Sequence, residues 1–115
     1  MKYMLLIYSP PREREPTPEE WAASMPAWEA FGNQIREQGG WVDAAPLAGV
    51  DSATTVRVRD GNRVVTDGPF AETKEWLGGY YIIDVPTLDH ALEVASMCPG
   101  AKDGSVEIRP VVDLG

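Results

Sequence analysis

The chain has little of the chemistry from which most metal sites and cofactor sites are built. Its 115 residues include one cysteine, Cys98, and one histidine, His90. A single cysteine cannot form an internal disulfide, which is typical of proteins in a reducing compartment. A metal site would have to consist of carboxylates alone, and no spacing of Asp and Glu indicates one. Because a phosphate-binding loop and a dinucleotide fingerprint are also missing, we predict no metal and no cofactor.

Positive charge and long apolar runs are scarce as well. Ten Lys and Arg stand against eighteen Asp and Glu, so the net charge is −8. A chain of this charge repels the phosphates of nucleic acids and anionic lipids. The apolar run at residues 3–8 is too short to span a membrane and makes a poor signal peptide. We therefore predict a cytoplasmic protein that binds neither nucleic acid nor membrane.

What the sequence does contain is the pattern of one α+β domain over residues 1–115. The predicted strands are residues 1–8, 41–47, 54–59, 63–67, 79–85 and 105–111, and the predicted helices are residues 17–38 and 87–98. Asp60-Gly61-Asn62 is typical of a hairpin turn between the third and fourth strands. Without the added β-hairpin, the order of elements is that of a split βαβ, ferredoxin-like fold. Pro110 places the last strand near an edge of the sheet.

Each predicted helix carries an apolar stripe. In the first helix the stripe keeps its phase across Pro26, which favours one kinked helix over two short ones. That stripe consists of Trp21, Met25, Trp28, Phe31 and Ile35. In the second helix, which follows a plausible N-cap at Thr87, the stripe consists of Leu88, Ala91 or Leu92, Ala95 and Cys98.

The first strand and the strand at residues 79–85 are apolar on both faces. Two helices can cover only one face of such a sheet, and a sizeable exposed apolar surface is a binding surface. The simplest cover for the second face is a second copy of the same sheet. We therefore predict a homodimer in which two sheets pack face to face.

The central stretch of the chain resembles a known family signature. Residues 66–75 read Thr-Asp-Gly-Pro-Phe-Ala-Glu-Thr-Lys-Glu and are followed by Leu77-Gly78-Gly79-Tyr80. This resembles the signature of the DGPF family, which is related to the YciI-like (YCII-related) proteins, and residues 1–8, 54–57 and 104–110 agree with it. The resemblance implies the dimeric α+β barrel group and, through family context, an association with extracytoplasmic-function sigma factors.

The resemblance does not bring a catalytic dyad with it. The better understood YciI-like enzymes are expected to pair a histidine near the first helix with an aspartate. The first helix of this chain has no histidine. His90 lies in the second predicted helix, off the apolar stripe, and we predict that it is a solvated helix residue.

Asp67 is the predicted catalytic residue, because it ends a strand at a turn where a carboxylate could act as acid or base. The alternative is a turn residue that accepts hydrogen bonds from the amides of Gly68 or Phe70. Cys98 is not a candidate nucleophile, because the C-terminus of a helix raises the pKa of a thiol.

The predicted ligand-binding residues are Tyr8, Lys74, Tyr81 and Arg109. Each has a structural alternative: core packing for the two tyrosines, simple solvation for Lys74, and solvation or pairing with Glu107 for Arg109.

Two functions of different class fit these residues. The first is a homodimeric module that binds a small ligand or has a regulatory role, without catalysis. The second is a small cofactor-independent enzyme of the dimeric α+β barrel type. It would use Asp67 as acid or base on a small aromatic or lactone-like substrate, with a tyrosine and Lys74 or Arg109 orienting that substrate.

Overall fold

The fold is α+β, as predicted, and is built on a four-stranded antiparallel sheet. A computed structural model describes residues 1–69 and 73–115. In chain order its strands are β1 (Lys2–Ser9), β2 (Trp41–Pro46), β3 (Thr54–Arg59), β4 (Asn62–Asp67), β5 (Trp76–Asp84) and β6 (Ser105–Pro110), and its helices are α1 (Pro18–Glu37) and α2 (Leu88–Ser96). The strand order of the main sheet is β2-β5-β1-β6, while β3 and β4 form a sheet of their own.

The topology confirms the ferredoxin-like prediction. Strand β5 pairs antiparallel with both β1 and β2. β1 and β2 are therefore parallel to each other, with α1 connecting them and β5 inserted between them, which is the split βαβ arrangement. β6 lies at an edge beside β1, where Pro110 costs no ladder hydrogen bond. The described strands do not close into a barrel within one chain.

The core lies between the sheet and the two helices. Alternate residues of β1 point into it, and Leu5 is completely buried. The buried residues are Tyr3, Leu5, Ile7, Phe31, Ile35, Ile83, Ala91, Val94, Ala95 and Cys98. They all belong to one side of the sheet, so the helices cover a single face.

Helix α1 begins and ends where its sequence signals lie. Thr17 accepts a hydrogen bond from the Glu20 amide at 3.2 Å, and the Glu20 carboxylate accepts one from the Thr17 amide at 3.1 Å. The hydrogen bond from Arg14, followed by that from Thr17, lowers the pKa of Glu20 to about 2. At the other end Gly39 has a φ of 77° and closes a Schellman motif. The helix is continuous across Pro26.

The two apolar stripes differ from the prediction. In α2 the structure buries Val94, whereas Leu88 and Leu92 are exposed. In α1 only the C-terminal half of the stripe is covered, and Trp21 and Met25 are exposed. The predicted α2 stripe was wrong at Leu88 and Leu92, because the side of the helix that packs into the core is formed by Ala91, Val94 and Ala95.

The β3–β4 hairpin forms as predicted. Its turn is made by Asp60 and Gly61, whose φ values of 52° and 76° are those of a type I′ turn. The sequence also allowed one helical turn in the connector after β4. Residues 70–72 of that connector lie outside the described residues, and residues 73–75 are not helical.

Alanine substitutions at two glycines would test how closely the backbone around residue 104 approaches β1. A Cβ at Gly104 would lie 2.1 Å from the carbonyl oxygen of Tyr8, whereas a Cβ at Gly78 would have its nearest neighbour 3.9 Å away. We expect Gly104→Ala to lower the free energy of unfolding by about 1–3 kcal/mol, because the backbone must move to admit the methyl group. Gly78→Ala is the matched control and should change it by less than about 0.5 kcal/mol. Urea denaturation measures both, and equal effects would contradict the close approach.

Candidate functional site

The side of the main sheet away from the helices is the candidate functional surface, called here the open face. Its centre is formed by Met4, Leu6 and Tyr8 of β1 together with Tyr80 and Ile82 of β5. Met4 pairs with Ile82 and Leu6 pairs with Tyr80, so these side chains form one patch. They are half-buried although they lie on the central strands, and none belongs to the buried core. A central apolar patch of this kind is typical of an interface.

Charged residues surround this apolar centre. Asp84 and Lys2 pair at one end of β1 and β5, and Asp84 also binds the N-terminal amine at 3.2 Å. On β2, Asp43 accepts a hydrogen bond from the hydroxyl of Tyr80 at 3.3 Å. On β6, Glu107 lies opposite Leu6. The open face therefore has an apolar centre and a polar border, which is the anatomy of a protein interface.

Two of the predicted ligand-binding residues lie on the open face. Tyr8 is half-buried near the C-terminal end of β1. Arg109 pairs with Met4 on the neighbouring strand and is 4.0 Å from Glu107. Because Met4 and Tyr8 are four residues apart on one strand, about 13 Å separates the two positions along the sheet. Tyr8 and Arg109 thus share a surface without converging on one small site.

Tyr81 lies on the opposite face, among the aromatic side chains of the core. Its ring centroid is 5.0 Å from that of Phe31, 5.8 Å from that of Trp41 and 6.3 Å from that of Trp28. Burial, with a smaller contribution from Cys98, raises the pKa of Tyr81. These contacts favour the core-packing alternative for this tyrosine.

Asp67, the predicted catalytic residue, is the last residue of β4 and lies on the hairpin rather than the main sheet. It pairs with Thr54 and is exposed. The amide of Gly68 donates to the carbonyl of Ala53 at 2.7 Å, and Phe70, the other expected amide, lies outside the described residues. Lys74, in the connector to β5, is exposed as well. In the single chain the predicted site residues are thus spread over two sheets and both faces of one of them. Their catalytic and ligand-binding roles stay predictions.

A recess at the end of the sheet contains residues that the sequence did not single out. It has a volume of about 70 Å³, and its walls include Arg12, Trp21, Leu47, Trp76 and Leu77. Ligand sites usually measure about 300–1,000 Å³, so this recess is too small to hold a metabolite within one chain. Of these residues, Trp21 alone belonged to a predicted pattern: it begins the apolar stripe of α1, in the half of the stripe that the core does not cover.

A larger depression lies along the loop before α1. It measures about 530 Å³ and is lined by Arg12, Glu13, Arg14, Pro16 and Glu20. Both of its arginines already have a carboxylate partner, since Arg14 contacts Glu20 at 2.6 Å and Arg12 contacts Glu15 beside the depression at 3.3 Å. The pairs are exposed to solvent, which is typical of a polar loop surface rather than a ligand site.

The described residues show neither a metal cluster nor a membrane span. Within residues 1–69 and 73–115, no three His, Cys, Asp or Glu side chains are placed to hold an ion. In the same part of the chain, neither helix combines the length and apolar character needed to cross a bilayer.

The whole chain, residues 1–115, matches the profile of the YCII-related domain. The chain belongs to the YCII-related family. Among its relatives is an uncharacterised protein of Rhizobium meliloti (strain 1021), which is 44% identical over 77 residues. That alignment covers 65% of this chain and 62% of the relative, so less than two thirds of the relative's length is matched. The match confirms the YCII-related part of the resemblance, and the DGPF subgroup stays a prediction.

Cys98 of this YCII-related protein should be chemically inert in the folded state. It is 1% exposed, and burial raises the pKa of its thiol. Both effects lower the amount of accessible thiolate, which is the reactive form. We expect a thiol reagent such as DTNB to label the native protein at least about 100-fold more slowly than the urea-unfolded chain. Rapid labelling without denaturant would show that Cys98 is accessible after all.

Proposed function

We propose that this YCII-related protein is a homodimeric binding module in which the open faces of two subunits pack together. The observation that carries the proposal is the apolar centre of the open face, at the middle of the sheet and outside the buried core. Burial of such surface contributes about 25 cal/mol per Å². Two sheets packed face to face lie about 10 Å apart, which lets side chains such as Leu6 and Ile82 interdigitate with those of the partner.

The charged border is compatible with this pairing. In a two-fold symmetric dimer the same surface occurs on both subunits, so each border meets a copy of itself. The border contains both signs of charge, with Lys2 and Arg109 against Asp43, Asp84 and Glu107. Opposite charges from the two subunits can therefore face each other at the rim.

For the binding role, we propose a ligand site at the recess near Trp21 and Trp76. Because about 70 Å³ is too small for a metabolite, we propose that the partner subunit or a conformational change completes the ligand site. Two indole rings favour a flat, aromatic compound, and an anionic group on it would replace Glu15 as the partner of Arg12. In the regulatory form of the proposal, the partner protein would be an extracytoplasmic-function sigma factor, as the family resemblance suggests.

The enzyme alternative ranks second. It needs Asp67 beside a tyrosine and a cation, and in the single chain Asp67 lies on the separate hairpin sheet. In this alternative a second subunit would bring the tyrosine and the cation to Asp67.

The dimer predicts a specific response to charge on the open face. Leu6→Glu should convert the dimer to a monomer at micromolar concentration, because a carboxylate at the apolar centre would be buried without a partner. Sedimentation velocity measures the mass, and circular dichroism checks that the variant is folded.

Leu92→Glu is the matched control for that experiment. Leu92 is an exposed leucine on α2, on the other side of the sheet, so the same substitution there should leave the dimer intact. A wild-type protein that sediments as a monomer, or two variants that behave alike, would rule out the open face as the dimer interface.

Ligand binding should depend on the dimer. In a thermal-shift screen of small aromatic carboxylates, a true ligand raises the unfolding midpoint of the wild-type protein by mass action. The same compound should give no shift with Leu6→Glu and a full shift with Leu92→Glu. A ligand that shifts the Leu6→Glu monomer equally would place its whole site within one subunit.

A further inference from the structure

The β3–β4 hairpin has an apolar face that its own chain leaves exposed. Val56 pairs with Val65 and Val58 pairs with Arg63, so the three valines lie on one side of the hairpin. This side, called here the valine face, is formed by Val56, Val58 and Val65, which are 60%, 64% and 53% exposed. Across the hairpin, Thr55 and Arg57 of the opposite face are less exposed than these valines. Alternating residues usually place the valines against the protein and the polar residues in water, and the structure shows the reverse.

The hairpin is held as a projecting arm. Its base is fixed by hydrogen bonds from the Gly68 amide to the Ala53 carbonyl and from the Thr55 hydroxyl to the Gly68 carbonyl, both 2.7 Å. The radius of gyration is 16.2 Å, whereas a compact domain of this length has about 13 Å. An isolated two-stranded hairpin is marginally stable in water, so the arm needs a surface to pack on.

Charge points to a second copy of the chain as that surface. Residues 54–67 contain Arg57, Arg59 and Arg63 against Asp60 and Asp67, a net charge of +1. The rest of the chain has seven Lys and Arg against sixteen Asp and Glu, a net charge of −9. By register, Arg63 and Asp67 lie on the valine face, whereas Arg57 and Arg59 lie on the other face. The arm as a whole, rather than the valine face alone, is therefore complementary in charge to the acidic body of another subunit.

The area of the open face supports the same conclusion. Four strands of six to nine residues, about 4.8 Å apart, present a surface of roughly 20 Å by 20–30 Å in projection. A stable interface buries about 800 Å² on each partner, and the charged border takes up part of the open face. In a symmetric dimer the valine face of each subunit is covered once, which enlarges the apolar contact.

We propose that the valine face of each hairpin docks onto the partner subunit and clamps the dimer. This inference rests on the proposed dimer but assigns a separate surface to it. The hairpin is then an exchanged arm, and the dimer is held by the open face and by two arms.

The test uses neighbouring valines on opposite faces of one strand. Val65→Asp places a charge on the valine face, whereas Val64→Asp places the same charge on the other face. We expect Val65→Asp to raise the dimer dissociation constant at least about tenfold, which corresponds to 1.4 kcal/mol. Val64→Asp should change it by less than about threefold. Sedimentation over nanomolar to micromolar concentrations measures both constants.

Measuring both hairpin variants in a monomeric protein distinguishes an effect on docking from an effect on folding. With Leu6→Glu added, the two hairpin variants should have the same free energy of unfolding, since no partner is present to cover either face. Equal dissociation constants for Val65→Asp and Val64→Asp, in a protein that Leu6→Glu still converts to a monomer, would overturn the clamp alone. A monomeric wild-type protein would remove both the clamp and the dimer. Binding of the valine face to a different protein, with the dimer unchanged by Val65→Asp, would also overturn the clamp.

Discussion

Leu5 and Leu6 are neighbours in the chain and lie on opposite sides of the sheet. Leu5 is completely buried beneath the helices, whereas Leu6 is half-buried at the centre of the open face. The central strands have apolar residues on both sides, whereas the two α-helices of the described residues lie on the same side of the sheet. The proposed assembly depends on this constraint, because the helices leave one apolar side of the sheet uncovered. The single chain therefore forms a buried core, but its own helices leave the apolar centre of the open face without cover.

The order of elements, the central place of β1 and β5 and the edge position of β6 could all be predicted from the sequence. Each depends on a local signal: an apolar run on two faces, a turn such as Asp60-Gly61, or a proline at a strand end. The packing of α2 could not be predicted in the same way. Its nine residues offer both a leucine side and a side of smaller residues, and only contact with the sheet decides between them. Close approach selects Ala91, Val94 and Ala95.

The candidate site was predictable in part, for the same reason. Alternation along a strand shows which residues share a face, but it does not show whether that face is covered. No local signal in the sequence shows that Asp67 is separate from the main sheet. That separation arises because β3 and β4 pair only with each other. Trp21 and Trp76 are 55 positions apart in the chain, so their place in one recess is a property of the tertiary structure.

Charge and burial act in opposite directions on association. In the proposed dimer each subunit would have a net charge of −8, so two subunits would repel at long range, but salt at physiological concentration screens exposed charges beyond about 8 Å. Contacts at the interface then decide the outcome. The open face contributes apolar area surrounded by both signs of charge, and the hairpin contributes the part of the chain whose own net charge is positive. An acidic protein that associates with itself benefits from placing its basic segment on a projecting arm, because the arm brings positive charge to a partner whose body is negative.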